Sequence, residues 1–435
     1  MSAFTKCLIL ALLPIALGSP IDNIRSFLTP RAPKSLTNER VDSFAWASVG
    51  DSWAAGVSYS TEQHTDYDDD KNGCHRWKDS YGPIIERNTS WTTGVQTFNF
   101  AACSGAILVN IVALPQGDNP RQMDLVGNPQ MITYHAGGNN CGFGDVVSNC
   151  IYQQWGNYGA EYPDPTGKCA KQLADSNDYI NEGGEGGLYQ DELITVRNLL
   201  NHPSVKDNKD FRLYILGYAH FFNLGANYCD DVSFGALATI PLIGNAPKLS
   251  NRLRTDINDG VERVNQVLAR VAKDVGDSRV RFLDISPAFN GHRFCENNHN
   301  YKDQWYNADV WLWNLNPPAD DPPANPDLID AWLYGNRNDT LLDYSNGAMV
   351  GVEIQGGAET EGSGRNTGAR PTWLQRPFHP KQGGAQAIAD IVIAQALADK
   401  IPGVVGSSAP TTGTCDCNED GCSPESPACC ADGTC

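Results

Sequence analysis

The chain has 435 residues, 41% of them hydrophobic, which suffices for one large domain or two ordinary ones with a sizeable core. The formal net charge of −19 predicts an acidic surface that repels phosphate groups. Nucleic acid and anionic membrane surfaces are therefore excluded as favoured partners.

The N-terminal segment is organised like a secretory signal peptide. An apolar run at residues 8–17 follows a short positive region, and Gly18 is the small residue before the expected cut, so residues 1–18 are predicted to be removed. Of the 14 cysteines only Cys7 lies here, and the rest are too many for a reducing compartment. Sequons at Asn88 and Asn338 fit the same route, and we expect a secreted glycoprotein with no transmembrane segment.

Residues 19–40 are polar and predict a leader or propeptide arm, and residues 41–402 form the predicted catalytic domain. Short segments rich in Val, Ile, Phe or Tyr and bounded by turn residues predict its strands. They are Ser43–Val49, Gln96–Ala101, Met131–His135, Phe211–Leu216 and Arg279–Leu283. Helical spacing of apolar residues predicts helices over Arg252–Val275 and Gly384–Asp399. This alternation predicts a three-layer α/β/α sandwich with a central parallel sheet.

Three segments depart from this pattern. Residues 296–372 are rich in Pro, Asn and Asp and include several tryptophans, which predicts a long irregular insertion. Residues 403–414 are typical of a Gly/Ser/Thr/Pro linker. The tail, residues 415–435, carries six cysteines and is too short to bury a core, so we expect disulfides to hold it, with metal binding as the alternative.

One candidate nucleophile stands where the first strand ends, in the tripeptide Gly50-Asp51-Ser52. In open parallel sheets ligands bind outside the carboxyl ends of the strands, so a serine here presents its hydroxyl to that site. Taken alone, such a tripeptide is more often a helix N-cap. Ala54 excludes the G-x-S-x-G elbow, and a serine that precedes the histidine excludes the chymotrypsin order.

Three further segments lie beside other predicted elements. Ala102-Cys103-Ser104-Gly105-Ala106 follows the second strand, Gly138-Asn139-Asn140 follows the third, and Phe378-His379-Pro380 precedes the last helix. Singly, they fit a turn, a cap and a helix boundary. Together with Ser52, over about residues 43–400, they resemble the four blocks of the SGNH (GDSL) hydrolase family, and in particular its secreted fungal and actinobacterial esterases.

The resemblance implies a flavodoxin-like sheet and a set of roles. Ser52 would be the nucleophile and His379 the general base. The backbone N–H groups of Ser52 and Gly105 and the side-chain amide of Asn139 would form the oxyanion hole. Ester hydrolysis through an acyl-Ser52 intermediate needs these groups alone, so no cofactor and no metal is expected.

The chain departs from the family in two places. Many members place an aspartate three residues before the histidine, where this chain has Arg376. Some secreted bacterial relatives orient the imidazole with a backbone carbonyl, so we expect a Ser–His dyad with the Arg376 carbonyl in that role. A distant carboxylate such as Asp284 is the alternative. The family also favours aspartate at the position of Asn140.

The resemblance also suggests cysteine pairings, although sequence alone does not fix connectivity. Cys141 is left over and is expected to be buried and free. The expected pairs are Cys74–Cys103, Cys229–Cys295 and Cys150–Cys169.

Other motifs carry weaker signals. Asp68-x-Asp70-x-Asn72-Gly73 with Asp79 matches half of a calcium loop, but Cys74 interrupts it, so a solvated acidic loop is expected. His135 and His220 lie near strand ends and are candidates to line the cleft. The histidines show no metal-ligand spacing.

The predicted function is that of a secreted serine esterase acting as a monomer. The family's substrates include small acyl esters, lipids and acetylated polysaccharides, so an acetyl-xylan-type esterase and a lipase or phospholipase are alternatives. Aromatic residues of the insertion fit sugar stacking, an acyl-chain wall or plain packing, and no Gly-rich apolar lid is evident. The missing aspartate before His379 motivates a rival class, an inactive carbohydrate- or lipid-binding protein.

Overall fold

The computed structural model describes residues 43–57, 67, 73–152, 162–181, 186–234, 248–301, 303–314 and 377–406. The predicted signal peptide, leader arm and Cys-rich tail lie outside these residues. So do Asn338, most of the predicted insertion and linker, and residues 68–72 of the calcium-like motif.

A parallel sheet forms the centre of the fold. Its strands are β1 (Ser43–Gly50), β2 (Val95–Phe100), β3 (Met131–His135), β4 (Arg212–Leu216) and β5 (Val280–Leu283). They are arranged in the order β2-β1-β3-β4-β5, and every neighbouring pair is parallel. This is the flavodoxin-like order, and each strand agrees with its prediction to within one residue at either end.

The sheet is covered on both faces. All five residues of β3 are buried, and because successive side chains of a strand point to opposite faces, neither face is open to water. The helices pack in two groups, with Gln382–Ala398 against Tyr81–Arg87 and with Lys168–Asn181 and Leu188–Leu200 against Asn251–Asp274. The predicted α/β sandwich is therefore confirmed.

The helices connect and flank these strands. The two longest agree with the helices predicted from apolar spacing. None of the helices described is long and apolar enough to cross a membrane. In chain order they are α1 (Ser52–Ala55), α2 (Tyr81–Arg87), α3 (Leu108–Val112), α4 (Phe143–Val146), α5 (Lys168–Asn181), α6 (Leu188–Leu200), α7 (Asn251–Asp274), α8 (Asp303–Tyr306) and α9 (Gln382–Ala398).

The predicted cysteine pairings are confirmed. Cys74 is bonded to Cys103, Cys150 to Cys169, and Cys229 to Cys295. Within the described ranges Cys141 is the free cysteine, and it is buried. The first bridge attaches the segment before α2 to the loop that follows β2, which is the loop that carries Gly105.

The described start of the predicted insertion is packed and regular. The side chain of Trp305 is fully buried against Phe234, and Trp311 stacks on His292 with ring centroids 3.6 Å apart. Residues 311–313 then pair with residues 378–381 through backbone hydrogen bonds. This pairing positions the chain around His379.

The end of β1 requires glycine. Gly50 has a φ of +147°, and a Cβ built there would lie 2.1 Å from the carbonyl oxygen of His135. The side chain of Gln122 bonds both the N–H and the carbonyl of Gly50, at 2.7 and 2.8 Å. The turn into α1 is therefore fixed by close backbone contact with β3.

We expect Gly50→Ala to lower the free energy of unfolding by about 3 kcal/mol or more, because a strained φ and a backbone clash add together. Gly117→Ala is the matched control, since Gly117 also has a positive φ (+58°) but nothing lies within 4 Å of its built Cβ. Urea unfolding of both variants measures the difference, and equal losses would contradict the crowding at Gly50.

Candidate active site

Ser52 begins α1 at the carboxyl end of β1, and neighbouring hydrogen bonds fix its backbone. Asp51 donates its N–H to the carbonyl of His135 at 3.0 Å. The Asp51 carboxylate accepts the N–H of Trp53 at 2.9 Å and thereby caps α1. Since Asp51 is the cap, the N-cap interpretation does not account for Ser52, which lines a cleft instead.

His379 and Ser52 are in hydrogen-bond contact, although they lie 327 residues apart in the chain. His379 Nε2 is 2.6 Å from Ser52 Oγ, and His379 Nδ1 is 3.0 Å from the carbonyl oxygen of Pro377. A carbonyl oxygen can only accept a hydrogen bond, so Nδ1 carries the ring proton in the neutral ring. Nε2 is therefore the nitrogen that accepts a hydrogen bond from the serine hydroxyl.

The carbonyl in contact with Nδ1 differs from the predicted one. Arg376 was expected to supply it and lies outside the described residues, whereas the structure places the carbonyl of Pro377 there. Phe378 has a φ of +66°, a left-handed conformation that turns this carbonyl towards the ring of His379. The alternative orienting group, Asp284, accepts the N–H of Ser286 at 3.0 Å.

Backbone and ring contacts hold the segment that carries His379. Trp313 donates its N–H to the carbonyl of His379 at 2.9 Å and accepts the N–H of Phe378 at 2.7 Å. The rings of Trp53 and Phe143 flank the imidazole, with centroids 6.4 and 5.9 Å from its own. His379 is 1% exposed, so the orientation of its ring is set by protein contacts and not by water.

The other two predicted site residues lie on neighbouring loops. Gly105 occupies the turn after β2 with a φ of +79°, a conformation that favours glycine. Asn139 is buried, and its Nδ2 donates to the carbonyl of Ala106 at 2.9 Å. Asn139 lines the same cleft as Ser52, whereas Gly105 is not among the cleft-lining residues. The Asn139–Ala106 bond nevertheless joins the two loops next to Gly105.

Asn140 stands where the family favours aspartate. Its side-chain oxygen accepts the N–H of Leu108 at 3.1 Å. An aspartate carboxylate would accept this bond in the same way. The departure from the family pattern therefore preserves the contact between the loop and the start of α3.

A buried hydrogen-bond chain links the Ser52 turn to the Asn139 loop. The hydroxyl of Tyr218, after β4, donates to Asp51 Oδ2 at 2.7 Å and accepts the N–H of Gly138 at 3.1 Å. Burial raises the pKa of Asp51 to about 7, although the bond from Tyr218 opposes this shift. The donor directions fit an ionised carboxylate, which can only accept.

Glu192, on α6, is a second buried carboxyl next to this chain of hydrogen bonds. Its residue surface is 0% exposed, and its Oε2 accepts the hydroxyl proton of Tyr134 at 2.5 Å. Burial raises the pKa of Glu192 to about 8. At neutral pH the group therefore remains largely protonated and uncharged in the folded protein.

The two histidines expected near the cleft do not line it. His135 is fully buried in β3, and burial lowers its pKa to about 3, so it is neutral at physiological pH. His220 lies 3.2 Å from Glu262 at the surface of α7. Within the described ranges, no group of three His, Cys, Asp or Glu side chains could hold a metal ion.

An apolar pocket extends from Ser52 between α5 and α7. Phe143, Val146 and Phe221 lie among its walls. The lining is apolar, as a site for a hydrocarbon chain requires. From α5 it is lined by Leu173, Ser176, Asn177 and Ile180, and from α7 by Ile257, Gly260, Val261 and Val264.

Comparison with known proteins identifies relatives among bacterial lipases. The chain is 25% identical over 270 residues to a lipase of Streptomyces rimosus, covering 61% of this chain and 78% of the relative. It is 23% identical over 274 residues to lipase 1 of Streptomyces coelicolor, covering 61% and 77%. These relatives indicate that the chain is an ester-hydrolysing enzyme, and it is similar to hydrolases of the SGNH type. The predicted resemblance to that family is thus confirmed.

The crystal structure of the extracellular lipase from S. rimosus superposes on this chain with a TM-score of 0.48 and 19% identity, covering 81% of this chain and 99% of that one. No family model matches the chain.

Sequence reasoning missed several residues that surround the site. Tyr218 and Glu192 carried no motif, and their contacts with Asp51 and Tyr134 join separate elements. The pocket residues of α7 were noted only for their apolar helical spacing. The available signal was Gly260, a glycine among the apolar residues of this helix face. It indicates that part of the face borders a pocket.

The pH dependence of stability tests the burial of Glu192. The unfolded chain releases this proton above about pH 4.5, whereas the folded enzyme keeps it up to about pH 8. The contribution to stability is therefore fully present below pH 4.5 and is lost as the pH rises through this window. Glu192→Gln, which stays neutral, should lose about 4 kcal/mol less between pH 4.5 and 8 in urea unfolding. Identical slopes in the two proteins would contradict this assignment.

Proposed function

We propose that the enzyme hydrolyses carboxylic esters through an acyl-Ser52 intermediate, with His379 as the base. The observation that carries this proposal is the 2.6 Å contact between His379 Nε2 and Ser52 Oγ, together with the carbonyl of Pro377 on Nδ1. This pair of contacts selects the tautomer in which Nε2 can accept the serine proton. A base within hydrogen-bond reach of the hydroxyl is the geometry that serine acyl transfer requires.

The reaction follows from these contacts in two steps. Ser52 Oγ attacks the ester carbonyl carbon while its proton passes to Nε2, and the carbonyl oxygen becomes an oxyanion. The imidazolium then gives this proton to the leaving alcohol as the ester C–O bond breaks and the acyl-enzyme remains. In the second step His379 takes a proton from water, which attacks the acyl carbon. The imidazolium then returns this proton to Ser52 Oγ as the bond between Oγ and the acyl carbon breaks, which releases the acid and the free serine.

Three donors are proposed to stabilise the oxyanion. They are the backbone N–H groups of Ser52 and Gly105 and the side-chain amide of Asn139. The Asn139 amide has two N–H groups, and because one of them is bonded to the carbonyl of Ala106, the amide is held in one orientation. Loss of one oxyanion donor typically lowers kcat by roughly 10²–10³-fold.

The substrate class is proposed from the pocket that begins at Ser52. Its apolar walls fit the acyl chain of a lipid ester better than the small polar acetyl group of an acetylated polysaccharide. The relatives named lipase agree with this choice. Among the alternatives left open for this serine esterase, we therefore favour a lipase or phospholipase type of activity over an acetyl-xylan type.

Secretion forms part of the proposal. The disulfides Cys74–Cys103, Cys150–Cys169 and Cys229–Cys295 need an oxidising compartment, which fits the signal peptide predicted for residues 1–18. Glycan attachment is proposed at Asn88, which is partly exposed at the end of α2. The acidic surface fits a monomer that acts on ester substrates in the medium.

Replacing the nucleophile tests the chemistry directly. Ser52→Ala should lower hydrolysis of a chromogenic short-chain ester by roughly 10⁴–10⁶-fold, because the attacking hydroxyl is lost. An organophosphonate should label the wild type at Ser52. Ser104→Ala, a buried serine of the neighbouring loop, is the matched control and should retain activity and labelling. Activity that survives in Ser52→Ala would refute the mechanism, and an inactive wild type would favour a binding protein.

A second substitution separates a dyad from a triad. Asp284→Asn should leave kcat almost unchanged, since the Pro377 carbonyl orients His379 and an asparagine oxygen can still accept the N–H of Ser286. Loss of an orienting acid from a triad costs roughly 10⁴-fold in kcat. A loss of that size, measured with the same chromogenic ester and with unchanged thermal unfolding, would show that the carboxylate takes part.

A further inference from the structure

Gly260 lies in the interior of α7, where glycine is among the least favoured helix residues. Close packing does not explain its presence, because no heavy atom lies within 4 Å of a Cβ built at this position. A positive φ does not explain it either, since the residue is part of the regular helix. The space that a side chain would occupy is therefore open, although the position is only partly exposed to solvent.

That open space is part of the apolar pocket. Gly260 lines it between Ile257 and Val264 on the same helix, and Val261 stands beside it. The first and last of these three apolar residues are seven residue steps apart, or roughly 10 Å along the helix axis. At Gly260 the helix wall therefore lacks a side chain, which leaves the pocket wider there. No neighbouring residue loses a packing contact as a result.

We propose that Gly260 determines the length of acyl chain that the enzyme accepts, by leaving room for a medium or long chain alongside α7. The proposal rests on the proposed function, since it assigns the pocket to the acyl group of the ester hydrolysed at Ser52. A short acyl group reaches the reacting centre without passing Gly260. A longer chain has to lie against the helix at the place where this residue has no side chain.

The experiment compares kcat/KM for p-nitrophenyl esters of increasing chain length, from acetate and butyrate to octanoate and palmitate. Gly260→Leu should retain turnover of acetate and butyrate and lower kcat/KM for octanoate and palmitate by about tenfold or more, because an added side chain excludes methylenes from a close-fitting wall. Gly260→Ala should shift the profile in the same direction by a smaller factor and should raise the urea midpoint, because alanine favours the helix.

Asp259→Leu is the matched control, since it adds the same side chain at the exposed neighbouring position of α7. Its chain-length profile should equal that of the wild type. A binding measurement adds a readout that is independent of turnover: in the inactive Ser52→Ala background, calorimetry with dodecanoate should show weaker binding when Gly260→Leu is added.

The outcomes separate the two proposals. Loss of long-chain turnover alone, with weaker dodecanoate binding, supports the assignment of Gly260. A uniform change at every chain length, or an unchanged profile in Gly260→Leu, overturns it while the mechanism at Ser52 stands. Hydrolysis that persists in Ser52→Ala overturns the proposed function itself, whatever the profile of the Gly260 variants.

Discussion

The 2.6 Å contact between His379 Nε2 and Ser52 Oγ closes a loop of 327 residues, and the site depends on how each end is held. Closing so long a loop costs conformational entropy that one hydrogen bond cannot offset. Ser52 is fixed because β1 lies between β2 and β3 and ends against the carbonyl of His135. His379 is fixed because its segment pairs with the backbone of residues 311–313. The contact is therefore a consequence of two rigid supports and needs no strong bond of its own.

The donors around Ser52 depend on a second constraint, the buried chain from Gly138 through Tyr218 to Asp51. It fixes the distance between the loop that carries Asn139 and the turn that carries Ser52. Such a chain is expensive to bury unless every group is satisfied, and its directions are satisfied only when Asp51 accepts. Burial favours the neutral acid and the hydrogen bonds favour the ionised one, which leaves the pKa of Asp51 at about 7. The buried hydrogen-bond chain thus holds the two loops in position, while the burial of the Asp51 carboxylate lowers the stability of the folded protein.

The pattern of apolar residues and the order of the motifs along the chain made the sheet and part of the site predictable. Strands are short apolar segments bounded by turns, and the carboxyl ends of parallel strands meet at one edge, so the order of the segments alone was enough to place Ser52 and Asn139 together. The carbonyl that contacts His379 Nδ1 belongs to Pro377, whereas Arg376 was predicted to supply it. The difference arises from the left-handed φ of Phe378, which the residue type does not reveal. Tyr218 and Glu192 escaped prediction because their roles come from contacts between elements far apart in the chain. The apolar spacing of α7 was interpreted correctly, but periodicity cannot distinguish residues that face a core from residues that face a pocket.

The positions of the described tryptophans bear on the substrate classes that the sequence left open. A sugar platform needs exposed rings, yet Trp305 and Trp313 are buried, and Trp311 is stacked on His292. These three tryptophans stabilise the wall that supports His379 and are not presented to a polymer. The proposed binding region for the acyl chain of an ester is instead the apolar pocket between α5 and α7. Because a hydrocarbon chain in this pocket removes apolar walls from water, at about 25 cal/mol per Å² buried, binding strengthens with chain length until the chain meets a side chain. Under the proposed assignment, a wall that lacks a side chain at Gly260 moves this limit towards longer chains.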